Sequence, residues 1–437
     1  MKTLNRISLV LAVALGLPLG GCSIDDLLQI SSPNAIDPGK LDNASGAAAL
    51  RAGAIADFAF AIDGDGGGTE GQSLVSGLLA DEWRNSDTFG TRQEIDQRAM
   101  ELANGTLTGV FRSIQAARLG AERATAALLA TSADTTADPR IAEMRTLAGF
   151  TYVTIGENYC SGVPLPAEGH TDAPAVATTE IFNQGIARFD AALNNFAGDN
   201  TRLWAAQVGK ARALLDLGQF ASAGALVATV PDAFTYQIEH SVSTQREQNG
   251  VYVFNALSQR WSISDLEGGT GLPFLTANDP RLKYLASGVG FDGATPLFIS
   301  LRYTDFSDPT PLVTGTEARL IEAEAALRAA DYTTWLAKLN GLRTAAGMST
   351  LPDPGATPDT AARTNLTFRE RGFWMFGTGH RLSDLRRLVR QYGRAADTVF
   401  PTGAYMKGGT YGTDVNIPVP TDEQNNPSFH GCIDRNP

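Results

Sequence analysis

Arg369-Glu370-Arg371-Gly372-Phe373-Trp374-Met375-Phe376-Gly377-Thr378-Gly379-His380-Arg381-Leu382-Ser383-Asp384-Leu385-Arg386-Arg387 is the most distinctive run of the chain. It reads as an aromatic helix over about 366–376, a glycine turn, and a basic helix over about 381–392. Leu382, Leu385, Leu388, Val389 and Tyr392 recur at helical spacing and give the second helix one apolar face. The arginines would suit an anion, but Glu370 and Asp384 interleave with them. That alternation predicts an internal ion-pair network. A packed helix pair, not a lone helix, is the unit that could bury such a network.

Upstream, helical patterns dominate. Asn43–Ile62 is Ala-rich, and Leu74–Trp83 reads as a short apolar helix. Phe111, Ile114, Ala117, Ala121, Ala124 and Leu128 share one helix face, as do Ile141, Met144, Ala148, Tyr152 and Ile155. Further helices are expected at 179–196, 202–217, 219–229, 316–330 and 333–346. Two of the connections look alike: Leu217-Gly218-Gln219-Phe220-Ala221-Ser222-Ala223 and Ala330-Asp331-Tyr332-Thr333-Thr334-Trp335. Each has a small residue at a helix end, then an aromatic opening the next helix. This is the turn of a tetratricopeptide repeat, degenerate in the second copy, where Trp335 replaces the small residue. The expected architecture is all-α, built from stacked helix pairs.

The stretch from about 232 to 310 breaks this pattern. Gly and Pro punctuate it, and it holds eleven aromatics: Phe234, Tyr236, Tyr252, Phe254, Trp261, Phe274, Tyr284, Phe291, Phe298, Tyr303 and Phe306. A long ring-rich insertion between repeat helices is where a binding surface would sit, although most of these rings should fill a local core. Asp81-Glu82-Trp83-Arg84-Asn85-Ser86-Asp87 places an indole, a guanidinium, an amide and carboxylates together at a helix end. Sugars are held by such mixtures, because a ring face stacks on C–H groups while planar polar groups bind hydroxyls. A capped helix end with a structural ion pair would use the same residues. The candidate ligand-binding residues are therefore Trp83, Arg84, Asn85 and Asp87, with Tyr252 and Trp261 from the insertion.

Other chemistry finds little support. His170, His240, His380 and His430 have no zinc-ligand spacing. Asp63-Gly64-Asp65-Gly66 opens like a calcium loop, but Leu74 stands where the closing acid belongs, so a plain loop is expected and no metal site. No Gly-x-Ser-x-Gly elbow occurs. Asp81/Glu82 and Glu322/Glu324 make no glycosidase dyad without a fold that spaces them. No cofactor is implied.

The amino terminus sets the compartment. Lys2 and Arg6 precede an apolar run, Ile7–Leu19, which ends in Leu19-Gly20-Gly21-Cys22. Charge, apolar core and small residues before a cleavage point predict a signal peptide over 1–21. The run is shorter than the ~20 residues a spanning helix needs. Leu-Gly-Gly-Cys has the form of a bacterial lipobox, with Cys22 acylated, for example by palmitate, as the mature first residue. Residues 22–42, broken by Pro33 and Pro38, form a tether, and 43–437 the folded domain. Asp25-Asp26 is consistent with a cell-surface address. If Cys22 carries lipid, Cys160 and Cys432 remain in an oxidising compartment, and one disulfide is expected between them. Loop closure alone would make it worth up to roughly 5 kcal/mol. A net charge of −12 argues against nucleic acid.

The run at 369–387 resembles the carboxy-terminal signature of the SusD/RagB family of outer-membrane lipoproteins. Gly379, Arg381, Asp384, Leu385 and Arg387 fit that signature, while Thr378 stands where the family has Glu. This departure bears on one buried ion pair and not on the fold. Ile417-Pro418-Val419-Pro420-Thr421-Asp422-Glu423 with Asn426-Pro427 is similar to the family's closing segment. Gly315–Glu324 is similar to the helix that opens its last repeat. The resemblance implies a SusD-like α-domain of tetratricopeptide-like pairs with an irregular ligand-facing region. It implies a non-enzymatic protein that captures oligosaccharide or peptide over a SusC-like TonB-dependent transporter at the outer membrane. The family carries no fixed ligand motif, so the site residues above rest on chemistry and position. Two rivals remain open from sequence: a periplasmic tetratricopeptide-type scaffold and a secreted glycan hydrolase.

Overall fold

The computed structural model describes residues 43–170, 172–355 and 360–436. The signal segment, the tether and Cys22 lie outside the described residues.

Helices α1 (Ala44–Asp63), α2 (Gln72–Leu79), α3 (Gly90–Asp96), α4 (Gly105–Thr131), α5 (Pro139–Asn158), α6 (Thr178–Leu193), α7 (Asn200–Asp216) and α8 (Phe220–Val227) form the first part of the chain. After a short α9 (Gly250–Tyr252) come α10 (Gly315–Arg328), α11 (Tyr332–Ala345), α12 (Thr360–Trp374) and α13 (Arg381–Arg390). Side-chain acceptors start several of them. Asn43, Asn104, Asp138, Asp199, Thr314 and Asp331 each accept a first-turn backbone N–H. Helix α1 is long and apolar enough by composition to cross a membrane, but it packs along α4.

Most of the helices from α4 to α12 pack on a neighbour in sequence. The order runs α4 on α5, α5 on α6, α6 on α7, α7 on α8, α8 on α10, and α10 on α11 and α12. This is the stacking expected of helix repeats. Close approach is set by missing side chains: a Cβ at Gly149 or Gly209 would lie 2.7 or 2.5 Å from the Phe189 ring. The ring of α6 thus fills a slot cut by glycines on α5 and α7. The two sequence-matched turns are the same structure. Gly218 and Ala330 both take left-handed backbone, at φ of 74° and 58°. Gln219 N–H returns to the Leu214 carbonyl, and Asp331 N–H to that of Ala326. In the degenerate copy Trp335 is buried and its indole N–H donates to Thr367 on α12, 2.8 Å away. A third helix takes the space left open.

The signature run forms the ion-pair network expected. Arg371 and Arg387 both bind Asp384, at 2.9 and 2.8 Å, and Arg387 reaches Glu324 at 2.5 Å. Glu370 accepts from Arg281 and Arg343 at 2.7 and 3.1 Å. Arg381 grips Asp81 with two bonds of 2.5 and 2.9 Å, joining α13 to the chain just after α2. Arg386 donates to the Gly156 and Glu157 carbonyls at the last turn of α5, where a cation opposes the helix dipole. Burial pushes its guanidinium down to about 9. Thr378 donates to the Met375 carbonyl instead of offering a carboxylate. Cys160 and Cys432 form the expected disulfide, with Cα atoms 6.0 Å apart.

Two expectations need correction. The helix read over Leu74–Trp83 begins at Gln72 and stops at Leu79, and Trp83 enters a strand. The insertion at 232–310 is not wholly irregular. It holds β4 (Thr235–Ile238), β5 (Trp261–Ile263), β6 (Tyr284–Val289) and β7 (Pro296–Ser300), with β8 (Thr310–Thr314) at its end. β1 (Trp83–Asn85) pairs with β5, β2 (Val163–Pro164) with β3 (Ala175–Val176), β4 with β8 and β6 with β7, all antiparallel. These pieces are too short for an alternating pattern to stand out in sequence.

Candidate functional site

The β1–β5 ladder brings together the two segments chosen from sequence. Trp83 faces Ile263, Arg84 faces Ser262, and Asn85 faces Trp261. The rings do not serve as platforms, however. Trp83 is 1% exposed and packs on Phe376, with ring centres 5.0 Å apart. Trp261 is fully buried against the edge of Phe254. Tyr252, half-buried, meets Phe306 edge-on and lies outside this pair of strands. Both indoles belong to the core.

The polar members hold the frame. Asn85 is buried and its side chain accepts the Asp87 N–H at 2.8 Å. Arg84 is tied to Glu267 by two bonds of 3.1 Å. Asp87 is buried and accepts from Arg92 and, at 2.7 Å, from Arg260. Burial alone would raise the Asp87 carboxyl, but these two guanidiniums outweigh it and hold it below the usual range. Of the residues named from sequence, Trp83, Asn85, Asp87 and Trp261 are buried and Arg84 and Tyr252 half-buried, so they lie beneath the outer surface.

That surface is one layer further out. Phe89 and Phe291 are 51% and 50% exposed, unusual for rings of this size. The Arg260 guanidinium lies 3.9 Å from the Phe291 ring centre and 5.0 Å from that of Phe89. Asp87 fixes Arg260 from below. Gln259 adopts left-handed backbone, φ 57°, and its carbonyl accepts from Phe291 N–H at 2.9 Å and Ser86 Oγ at 2.8 Å. Lys407 bridges the same loops, bonding Asp292 at 2.8 Å and the Asp87 carbonyl at 2.6 Å. Two ring faces and their charged spacer are thus held on three separate loops by buried contacts. Among the eleven rings of the insertion, Phe291 alone is exposed. Sequence carried no sign of this beyond the ring itself, and Phe89 stood just past the end of the quoted run.

Carboxylates that could suggest hydrolysis are committed elsewhere. Asp81 binds Arg381, Glu324 binds Arg387 and Tyr392, and Glu322 binds Lys338. Glu82 is fully buried under the Gly377 N–H, and burial pushes it up to about 8. Among the described residues no cluster of three His, Cys, Asp or Glu could hold a metal ion.

The fold has close counterparts among solved structures. A SusD superfamily protein from Bacteroides fragilis superposes with a TM-score of 0.66 at 15% identity, covering 88% of this chain and 98% of that one. One from Parabacteroides distasonis gives 0.66 at 13%, covering 89% and 98%. A SusD-like carbohydrate-binding protein from Bacteroides vulgatus gives 0.60 at 16%, covering 78% and 82%. No protein-family model and no curated sequence matches the chain. The resemblance read from the signature run thus holds at the level of the fold: the chain has the SusD fold.

Proposed function

We propose, from the SusD fold and the ring pair it displays, that this chain is a glycan-capturing lipoprotein. The observation that carries the reading is the exposed pair Phe89 and Phe291, both in contact with Arg260 and braced from beneath. Pyranose C–H faces stack on such rings, and guanidinium N–H groups donate to the hydroxyls between them. The bracing matters because a preformed platform loses little freedom on binding. In this account Cys22 carries the lipid and anchors the protein to the outer membrane, facing the cell exterior. The domain hands oligosaccharide to a SusC-like TonB-dependent transporter beneath it. The protein performs no chemistry on the sugar.

Three experiments test the arrangement. Extraction in mild detergent should recover the protein with a large β-barrel partner, and protease added to intact cells should degrade it. A barrel-free monomer, or full protection from protease, contradicts the lid role. Replacement Cys22→Ala should release a folded protein from the membrane; a membrane-bound variant contradicts the anchor.

A further inference from the structure

A cavity of about 350 Å³ opens between β8, the start of α10 and the end of α12. Its size suits a small-molecule site, roughly 300–1,000 Å³. Phe373 and Trp374 form an aromatic wall, Thr316 adds a hydroxyl, Met348 adds apolar surface, and Arg302 enters from the insertion. None of these belongs to the ring pair described above.

The charge around this cavity does not balance. Arg302 takes part in none of the ion pairs among the described residues, and its buried Nε lacks a hydrogen-bond partner. The buried indole N–H of Trp374 also lacks one. Nearby, Arg281, Arg343 and Arg369 share the carboxylate of Glu370, and among the described residues Arg281 alone of the three has a second carboxylate partner, Asp279. The Arg302 charge acts on Glu82, whose carboxyl burial nevertheless pushes up to about 8. A half-buried cation without an ion-pair partner, in a protein of net charge −12, is open to an anionic occupant.

We infer that this cavity binds a carboxylate-bearing sugar, a hexuronate residue, with its carboxylate on Arg302 and its ring against Trp374. A guanidinium matches a carboxylate through paired N–H donors. An aromatic wall and a threonine hydroxyl suit a polyol ring better than a peptide backbone, which needs a row of donors and acceptors. The cavity would give the protein a preference for acidic glycans that the neutral ring pair alone does not provide.

The probe is D-glucuronate, titrated calorimetrically into the intact folded protein, with D-glucose and N-acetylglycine as comparators. Saturable glucuronate binding is expected, with each comparator weaker by roughly tenfold or more. Arg302→Gln should remove it, with circular dichroism and melting unchanged. Ala346→Trp, at the exposed rim, should block it sterically and decides the matter if Arg302→Gln fails to fold. Phe89→Ala should leave it intact, which separates this site from the ring pair. Absence of binding to the wild type, equal binding of glucose or of N-acetylglycine, or retention in a folded Arg302→Gln or Ala346→Trp protein each overturns the inference.

Discussion

Asp81→Asn is expected to be strongly destabilising. Asp81 is fully buried and accepts three bonds: 2.5 and 2.9 Å from Arg381, and 2.7 Å from the Leu272 N–H. The amide keeps the shape but loses the charge, and turns one acceptor into a donor facing other donors. Arg381, itself buried, is left without its counter-charge. Breaking a buried pair on one side costs about 3–5 kcal/mol. Unfolding entropy of about 2.1 cal/mol/K per residue, over the ~395 residues from 43 to 437, gives about 0.8 kcal/mol/K. The melting temperature should therefore fall by about 4–6 °C. Differential scanning calorimetry at pH 7 reads this directly. Asp422→Asn, in the exposed pair with Arg112, is the control and should give no resolvable shift. The joint replacement Asp81→Leu with Arg381→Met should lose less than Asp81→Asn alone, because no charge is stranded. A fall of under 1 °C for Asp81→Asn would refute the claim that the signature run is held by buried charge pairing.

Three further outcomes follow from single features. Ala330→Gly should stabilise the protein by about 0.5–1 kcal/mol, since Ala330 is strained at φ 58° where its counterpart is Gly218; a loss of stability would contradict the equivalence of the turns. Cys160→Ser with Cys432→Ser should cost about 2–5 kcal/mol and raise hydrogen exchange at Ile433, whose N–H donates to Ser161; unchanged stability would show the tail needs no tie. Glu82 binds its proton more tightly folded than unfolded, so wild-type stability is full below the unfolded value of 4.5 and declines as pH rises through about 8. Glu82→Gln should remove that decline and overtake the wild type at pH 9 in chemical denaturation; parallel profiles for the two proteins would refute it.

The architecture was legible because helix repeats write themselves in local spacing. The face at Phe111–Leu128 and the turns at Gly218 and Ala330 needed no distant residue to be recognised. The interleaved charges of the signature run likewise foretold their own pairing, although the partners Asp81, Arg281 and Glu324 come from far along the chain. The candidate site was less legible. Sequence singled out two segments, and they pair as β1 and β5. It could not say which side of a ring faces water, because strands of three residues show no periodicity. Trp83 and Trp261 therefore looked like ligand platforms and are core, while Phe89 and Phe291 carry the exposed faces. Exposure is a property of the tertiary packing, and no local pattern encodes it.

Oligosaccharide binding by the wild type and by the double variant Phe89→Ala with Phe291→Ala tests the central claim most directly. Calorimetric titration with a panel of glycans should identify at least one that the wild type binds. Losing both rings should weaken that glycan by roughly thirtyfold or more, about 2 kcal/mol, while melting stays unchanged because both side chains face solvent. Equal affinity in the folded double variant, or no glycan bound by the wild type, would contradict the account.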